Sequence, residues 1–307
     1  MIDRNPARLD PEWLGMSYGL LGVLSFSLTL PATRVAVVEL DPTFVGLGRA
    51  IVAAGLAAIA LRVTRQPLPN RRHWRQLAIV AVGVILGFPL LSAWAMRQLP
   101  AAHGAVVIGL IPLVTAIVAT VRGGERPSLR FWLASAAGSA TIITFTLASA
   151  GAGQIQPPDL AADLALVGAV VAAAIGYAEG GRLARSIGGW QVICWALVLS
   201  APVLLVPTLL AAEQGLTASP QAWLGFLYVS VVSQFFGFFA WYHGMAIAGV
   251  AKVSQLQLLQ PFLTIAFSAL LLHEQITPPT LAAACIVIAC VAIGRRSLVR
   301  QPPVEPS

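Results

Sequence analysis

Apolar stretches long enough to cross a membrane recur along this sequence, separated by short segments that hold most of its charge. A helix needs about 20 apolar residues to span the hydrocarbon of a bilayer. Cutting at charges, Pro and Gly leaves ten candidate spans. They are Leu14–Val38, Phe44–Leu61, Leu77–Met96, His103–Val121, Phe131–Ser149, Leu164–Gly181, Gln191–Ala212, Ala222–Ala248, Val250–Leu272 and Thr280–Gly294. The first is too long for a signal peptide and is read as a retained span. Only 10% of the residues are charged, against about 25% in a soluble domain whose surface must be wetted. The expected fold is therefore an all-α integral membrane protein with ten transmembrane helices.

The net charge of +7 does not point to nucleic acid, because the arginines are dispersed between apolar runs. Arg4 and Arg8 precede the first span, and Arg62, Arg65, Arg71, Arg72 and Arg75 follow the second. Arg122, Arg126 and Arg130 follow the fourth, Arg182 and Arg185 the sixth, and Arg295, Arg296 and Arg300 the last. The loops Glu39–Pro42, Gly151–Asp163 and Glu213–Pro220 carry no Lys or Arg. Basic loops stay in the cytoplasm, so a multi-pass protein of the cell membrane with both termini cytoplasmic is expected. Cys194, Cys285 and Cys290 lie in apolar runs without metal-ligand spacing. No cofactor or metal is called for.

A shift of 149 residues superposes two parts of the chain: Trp74 on Trp223, Met96 on Met245, Pro112 on Pro261, Thr115 on Thr264 and Glu125 on Glu274. Matched Pro and Glu weigh most, because both are disfavoured in apolar helices. Two repeats follow, residues 13–149 and 163–296, with five spans each. An odd number of spans inserts the second copy upside down, and inverted repeats suit alternating access around a midplane site.

Several stretches carry a family resemblance. Trp94-Ala95-Met96-Arg97-Gln98-Leu99 leads through Pro112 to Gly124-Glu125-Arg126-Pro127, and is echoed by Gly244-Met245, Pro261 and His273-Glu274-Gln275-Ile276. Arg49-Ala50-Ile51-Val52-Ala53-Ala54 and Gly189-Trp190-Gln191-Val192 fit the second and seventh spans of the same pattern. The chain resembles the EamA-type transporters of the drug/metabolite transporter superfamily from about Trp13 to Gly294. The resemblance implies two five-helix bundles around a central cavity, no ATP, and export as the direction. No residue of Gln191–Ala212 matches Arg49, a departure from the repeat.

The midspan prolines Pro112 and Pro261 free backbone carbonyls, which lipid tolerates only beside protein or a wet cavity. Ser254, Gln257, Pro261, Thr264 and Ser268 share one helix face by their spacing, with Gln260 alongside. Ser230, Gln234, Gly237, Trp241 and Gly244 form a similar face. Tyr18, Ser25, Thr29, Trp94 and Tyr177 complete a neutral, aromatic cavity, although such residues also serve close helix packing. Arg49, deep in the second span, is a gating or anion-binding candidate, since intramembrane charge is rare. Arg34 is near enough to the outer interface to reach water. Glu125 and Glu274 read as turn caps, and His103 and Lys252 as interface markers. Gly83–Gly87 and Gly176–Gly180 match the small-residue contact pattern of membrane helices.

The expected function is a secondary transporter of small organic metabolites, exporting amino acids or similar amphipathic compounds by alternating access. The lipid bilayer and a small-molecule substrate are its expected partners, and a proton is the candidate coupling ion. An intramembrane enzyme would need a paired nucleophile and base or a metal cluster. A channel would need a filter or charged rings. The spans display neither set.

Overall fold

The computed structural model describes residues 11–123, 128–151, 159–213, 215–248 and 253–296. Among them every regular element is helical. Glu125, Lys252 and the turn expected between the eighth and ninth spans lie outside the described residues.

Helix starts follow local chemistry. α1 (Pro11–Ser27) and α2 (Thr29–Val37) run on as one apolar rod. α3 (Pro42–Val63) begins where Asp41 Oδ1 accepts the amides of Thr43 and Phe44 at 2.8 and 3.0 Å. Pro42 fills a first-turn position that needs no N–H donor. Asn70 caps α4 (Arg71–Val80), which widens into a π-helical turn, Ala81–Gly87, before α5 (Phe88–Met96). α6 (Ala101–Ile108), α7 (Ile111–Gly123), α8 (Leu129–Gly151), α9 (Asp159–Ile187) and α10 (Gly189–Ala212) follow. Ser219 caps α11 (Pro220–Leu227), which again opens into a π-helical stretch, Tyr228–Gly237, before α12 (Phe238–Ala248). A 3-10 segment, Ser254–Leu259, leads into α13 (Gln260–Leu272), and α14 (Pro278–Arg296) ends the described chain.

Six of these helical runs are long and apolar enough to cross a membrane: Glu12–Val37, Pro42–Val63, Arg71–Met96, Leu160–Ile187, Gly189–Ala212 and Pro220–Ala248. Ala101–Thr115, Leu256–Leu272 and Pro278–Ile293 are shorter apolar helices. Their outward faces expose Ile59, Val203, Leu209 and Leu270, a surface suited to lipid rather than water.

The duplication read from the sequence is written into the element boundaries. α4 and α11, α7 and α13, and α8 and α14 each start 149 residues apart, at Arg71 and Pro220, Ile111 and Gln260, and Leu129 and Pro278. The packing is reciprocal as well. α1 lies along α12 while α5 lies along α9, α3 crosses α10, and α8 pairs with α14. Exchanging each element for its counterpart returns the same set of contacts, as a two-fold relation between halves requires.

One approach between the halves depends on glycine. A Cβ on Gly83 would lie 2.6 Å from the Ala172 carbonyl oxygen and 2.8 Å from Gly176 Cα. The π-helical turn Ala81–Gly87 therefore rests backbone to backbone on α9, and the two small-residue patterns of the sequence meet there.

Candidate functional site

Both prolines mark helix breaks, and the breaks touch. α6 stops at Ile108, Gly109 and Leu110 form a turn, and α7 restarts with Pro112 as its second residue. The 3-10 segment ends at Leu259, and Pro261 is the second residue of α13. Pro fits these positions because the first turn of a helix has no intrahelical use for its N–H groups. A Cβ on Gly109 would sit 3.2 Å from Pro261 Cγ. The kinked spans thus cross at their discontinuities, with Pro112 and Pro261 both buried.

Beside this crossing lies a buried polar group of residues. Arg49 of α3 is 2% exposed. Its Nη2 donates to Ser233 Oγ at 3.0 Å, and Ser233 shares a 2.7 Å hydroxyl–hydroxyl bond with Thr29. Gln234, next in the π-helical stretch, donates from Nε2 to the Val84 carbonyl at 3.2 Å. Val84 and Ser233 are repeat counterparts, so the two π-helical segments meet here. Tyr177 lies within electrostatic reach of the Arg49 guanidinium. It also packs with Phe26, Phe238 and Trp241, its ring centroid 6.5, 5.9 and 6.1 Å from theirs. Among the described residues no carboxylate pairs with Arg49. Among the described residues, the buried donors Arg49 Nε, Trp241 Nε1 and Gln257 Nε2 find no hydrogen-bond partner, nor does the buried acceptor Gln234 Oε1.

Thr29, Arg49, Tyr177, Gln234 and Trp241 thus come together. Gln257 and Gln260 are buried on the neighbouring segment, two and one turns before Thr264, whose hydroxyl donates to the Ser27 carbonyl at 2.9 Å. Ser25 bonds back to the Leu21 carbonyl, and its own carbonyl accepts from Tyr228. Tyr18 stands apart, edge-on to His243 with centroids 4.8 Å apart. Trp94 also stands apart, 57% exposed with its indole N–H on Thr43 Oγ1. The side chain of Ser254 lies outside the described residues. Ser233 was not singled out in the sequence, although it lies three residues after Ser230 and next to Gln234.

The end of the molecule holding the α2–α3 turn is laced across the halves by charge. Glu274 accepts the amides of Ala101 and Ala102, one on each carboxylate oxygen, both at 2.9 Å. It therefore caps α6 of the other half rather than its own turn. Arg34 Nε lies 3.4 Å from Glu274 Oε1, and its Nη1 donates to the carbonyls of Met96 and Leu99. Arg34 is thus held by protein groups and does not merely reach out to water. Glu39 accepts from the Ser219 amide at 2.7 Å and the Ser219 hydroxyl at 2.6 Å. These bonds hold the Glu39 carboxyl below the usual carboxylate range. Its contribution to stability is present above that range and is lost as pH falls through the lowered value. His103 contacts Asp163 across the halves. Neither Asp163 nor the Arg34–Glu274 pair is visible as a partnership in sequence.

Glu274→Ala removes two charge-assisted caps and leaves Arg34 without its carboxylate. The expected cost is about 1–3 kcal/mol, read as a lowered thermal midpoint in detergent. Glu274→Gln, which keeps an acceptor, should lose less. A midpoint unchanged in Glu274→Ala would contradict the capping role.

Comparison with known proteins supplies the family. The model of the EamA-like transporter family matches twice, over residues 13–147 and 160–294. An uncharacterized transporter, YdeK, of Bacillus subtilis strain 168 is 43% identical over 283 residues, covering 92% of this chain and 97% of that protein. A probable terminal-alkyne amino-acid exporter of Streptantibioticus cattleyicolor is 28% identical over 284 residues, covering 92% and 94%. A crystal structure with 17% sequence identity superposes with a TM-score of 0.63, covering 91% of this chain and 97% of that one, and so shares the fold. Two matches to one family model, on the two halves that the helix boundaries delimit, establish that this chain belongs to the EamA-like transporter family.

Proposed function

We propose that this protein is a secondary carrier that exports amino acids or similarly amphipathic metabolites across the cytoplasmic membrane by alternating access. In this reading ten transmembrane helices form two inverted repeats, residues 13–149 and 163–296, with both termini cytoplasmic. The arginine-rich loops support the orientation, and the reciprocal packing of the halves supports rocking about a shared site. Reporter fusions at Gly151 and Ser307 should give opposite signals; equal signals would overturn this topology.

The observation that carries the substrate class is the buried Arg49 guanidinium, which has no carboxylate partner among the described residues. A buried charge without a counter-ion is costly, and each buried polar atom left unbonded costs about 1–3 kcal/mol. A substrate carboxylate answers the Arg49 and Trp241 donors, an ammonium answers Gln234 Oε1, and Gln257 Nε2 is left for a neutral acceptor of the substrate. The aromatic group of Phe26, Tyr177, Phe238 and Trp241 suits an apolar side chain. The amino-acid exporter among the relatives agrees with this chemistry. Counterflow tests the carrier reading: vesicles preloaded with an unlabelled amino acid should transiently concentrate the labelled one, over a panel of amino acids. Equilibration without overshoot across the whole panel would point to a channel.

Gln257→Leu should weaken substrate affinity about two- to twelvefold, the worth of one neutral hydrogen bond of about 0.5–1.5 kcal/mol. Ser268→Ala should change it less, because the Ser268 hydroxyl is spent on the Thr264 carbonyl at 2.8 Å. The check is the half-saturating concentration in counterflow; equal effects of the two substitutions would remove Gln257 from the site.

A further inference from the structure

Of the contacts that lace the halves at the Glu274 end, one is a titratable pair sealed away from solvent. His103 on α6 and Asp163 on α9 are 5% and 6% exposed, and Nε2 of His103 lies 2.7 Å from Oδ1 of Asp163. The imidazole stacks on Phe145 of α8, centroids 5.0 Å apart. Buried Ala105, Val106, Ala162 and Leu166 flank the two residues along their helices. No part of the candidate substrate site described above involves this pair.

The charged groups near it are already engaged or stand at helix ends. Arg34 of α2 and Glu274 beyond α13 hold the first turn of α6. Arg97 beyond α5 and His273 beyond α13 are exposed. α14 brings Cys285 and Cys290, while Arg130 of α8 and Arg122 of α7 belong to the opposite ends of their helices. α9 begins at Asp159, one turn before Asp163, and farther along it come Tyr177, Glu179, Arg182 and Arg185. The residues of α4, α10 and α12 that titrate (His73, Cys194, Tyr242, His243) belong to helices packed on α9 but not on α6.

Electrostatics then links the pair to the position of α6. With one proton, imidazolium and carboxylate compensate each other. Without it, a lone carboxylate faces a neutral ring in apolar surroundings, which is costly. Admitting water by parting α6 from α9 relieves that cost. If the open and closed forms bind the proton with different affinity, pH shifts their balance.

We propose that His103 and Asp163 form a proton-binding site that keeps the external side shut when occupied and releases it when the proton leaves. The proton passes between external water and the ring nitrogen of His103. In an exporter, the emptied carrier would take it up at the step that closes the external side. External is assigned by the topology under Proposed function, and the role in a cycle rests on the carrier reading.

The test uses the full chain with its three cysteines replaced and a single reporter, Val106→Cys, one turn from His103 and fully buried. A membrane-impermeant methanethiosulfonate is applied outside right-side-out vesicles between about pH 6 and pH 8.5. Rates are normalised to Val38→Cys, whose site is exposed, which removes the ionisation of the thiol itself. A one-proton switch changes an equilibrium by at most about tenfold per pH unit. The normalised rate should rise at least about fivefold with pH, and the rise should vanish in His103→Gln and Asp163→Asn. A flat profile in the parent overturns the proposal without any variant of the pair, and so does an unchanged rise in both variants. Counterflow of the labelled amino acids in the same vesicles reports separately on the carrier reading. Its absence beside a pair-dependent rise would leave a proton latch in a protein of another function.

Discussion

Arg49→Met should lose transport while the folded protein becomes more stable. Arg49 is the largest charged side chain in the fully buried interior, and its described interactions include one hydroxyl and no carboxylate. Replacing a buried charge with an apolar side chain of similar volume is often neutral or stabilising by about 1–4 kcal/mol. If the guanidinium waits for a substrate carboxylate, the same change removes charge-assisted hydrogen bonds worth about 1.5–3 kcal/mol each. Losing one such bond corresponds to a roughly ten- to 150-fold fall in affinity, and losing two abolishes measurable export. Arg49→Lys should also fail, since an ammonium cannot reproduce the planar fork. The checks are thermal unfolding in detergent and counterflow in vesicles. Normal transport by Arg49→Met would remove Arg49 from the site, and a large drop in stability would make it a structural clasp.

Gly83→Leu should severely damage folding. The first added carbon alone would lie 2.6 Å from the Ala172 carbonyl oxygen, and the obstacle is backbone rather than a movable side-chain end. Overpacking of this kind costs about 1–3 kcal/mol or more, because α9 must retreat along its whole contact with the widened turn. Gly55 is the contrast, since a Cβ there meets nothing within 4 Å. Gly55→Leu should leave the monodisperse yield in detergent unchanged, whereas Gly83→Leu should reduce it severely. Equal yields would mean that the halves can slide apart at no cost.

What the sequence made legible was what depends on local pattern. The apolar runs located the helices, and matched Pro112 and Pro261 located the two breaks and the repeat. The widened turns were not legible. Pro89 follows the first, but its counterpart 149 residues on is Phe238, so proline is not the common cause. Such π-helical turns also rotate the helix phase, so a face read at spacings of three and four does not carry across them. Trp94 lies beyond Ala81–Gly87 and turns outward to Thr43, although a cavity wall was expected of it. The cross-half partnerships were invisible for another reason. Asp163 lies 60 residues from His103, and a single sequence records spacing along a chain, not contact between distant parts of it. Arg34 and His103 therefore looked like residues marking an interface, when each is held by a specific carboxylate.

In the proposed function the buried site reads an amino acid through its carboxylate. The most direct measurement compares two internal loads in counterflow, an amino acid and the amine left when its carboxylate is removed, with the labelled amino acid outside. The amino acid should drive a transient overshoot of label, and the decarboxylated amine at the same concentration should not. An amine that exchanges as well as its parent acid would contradict this reading.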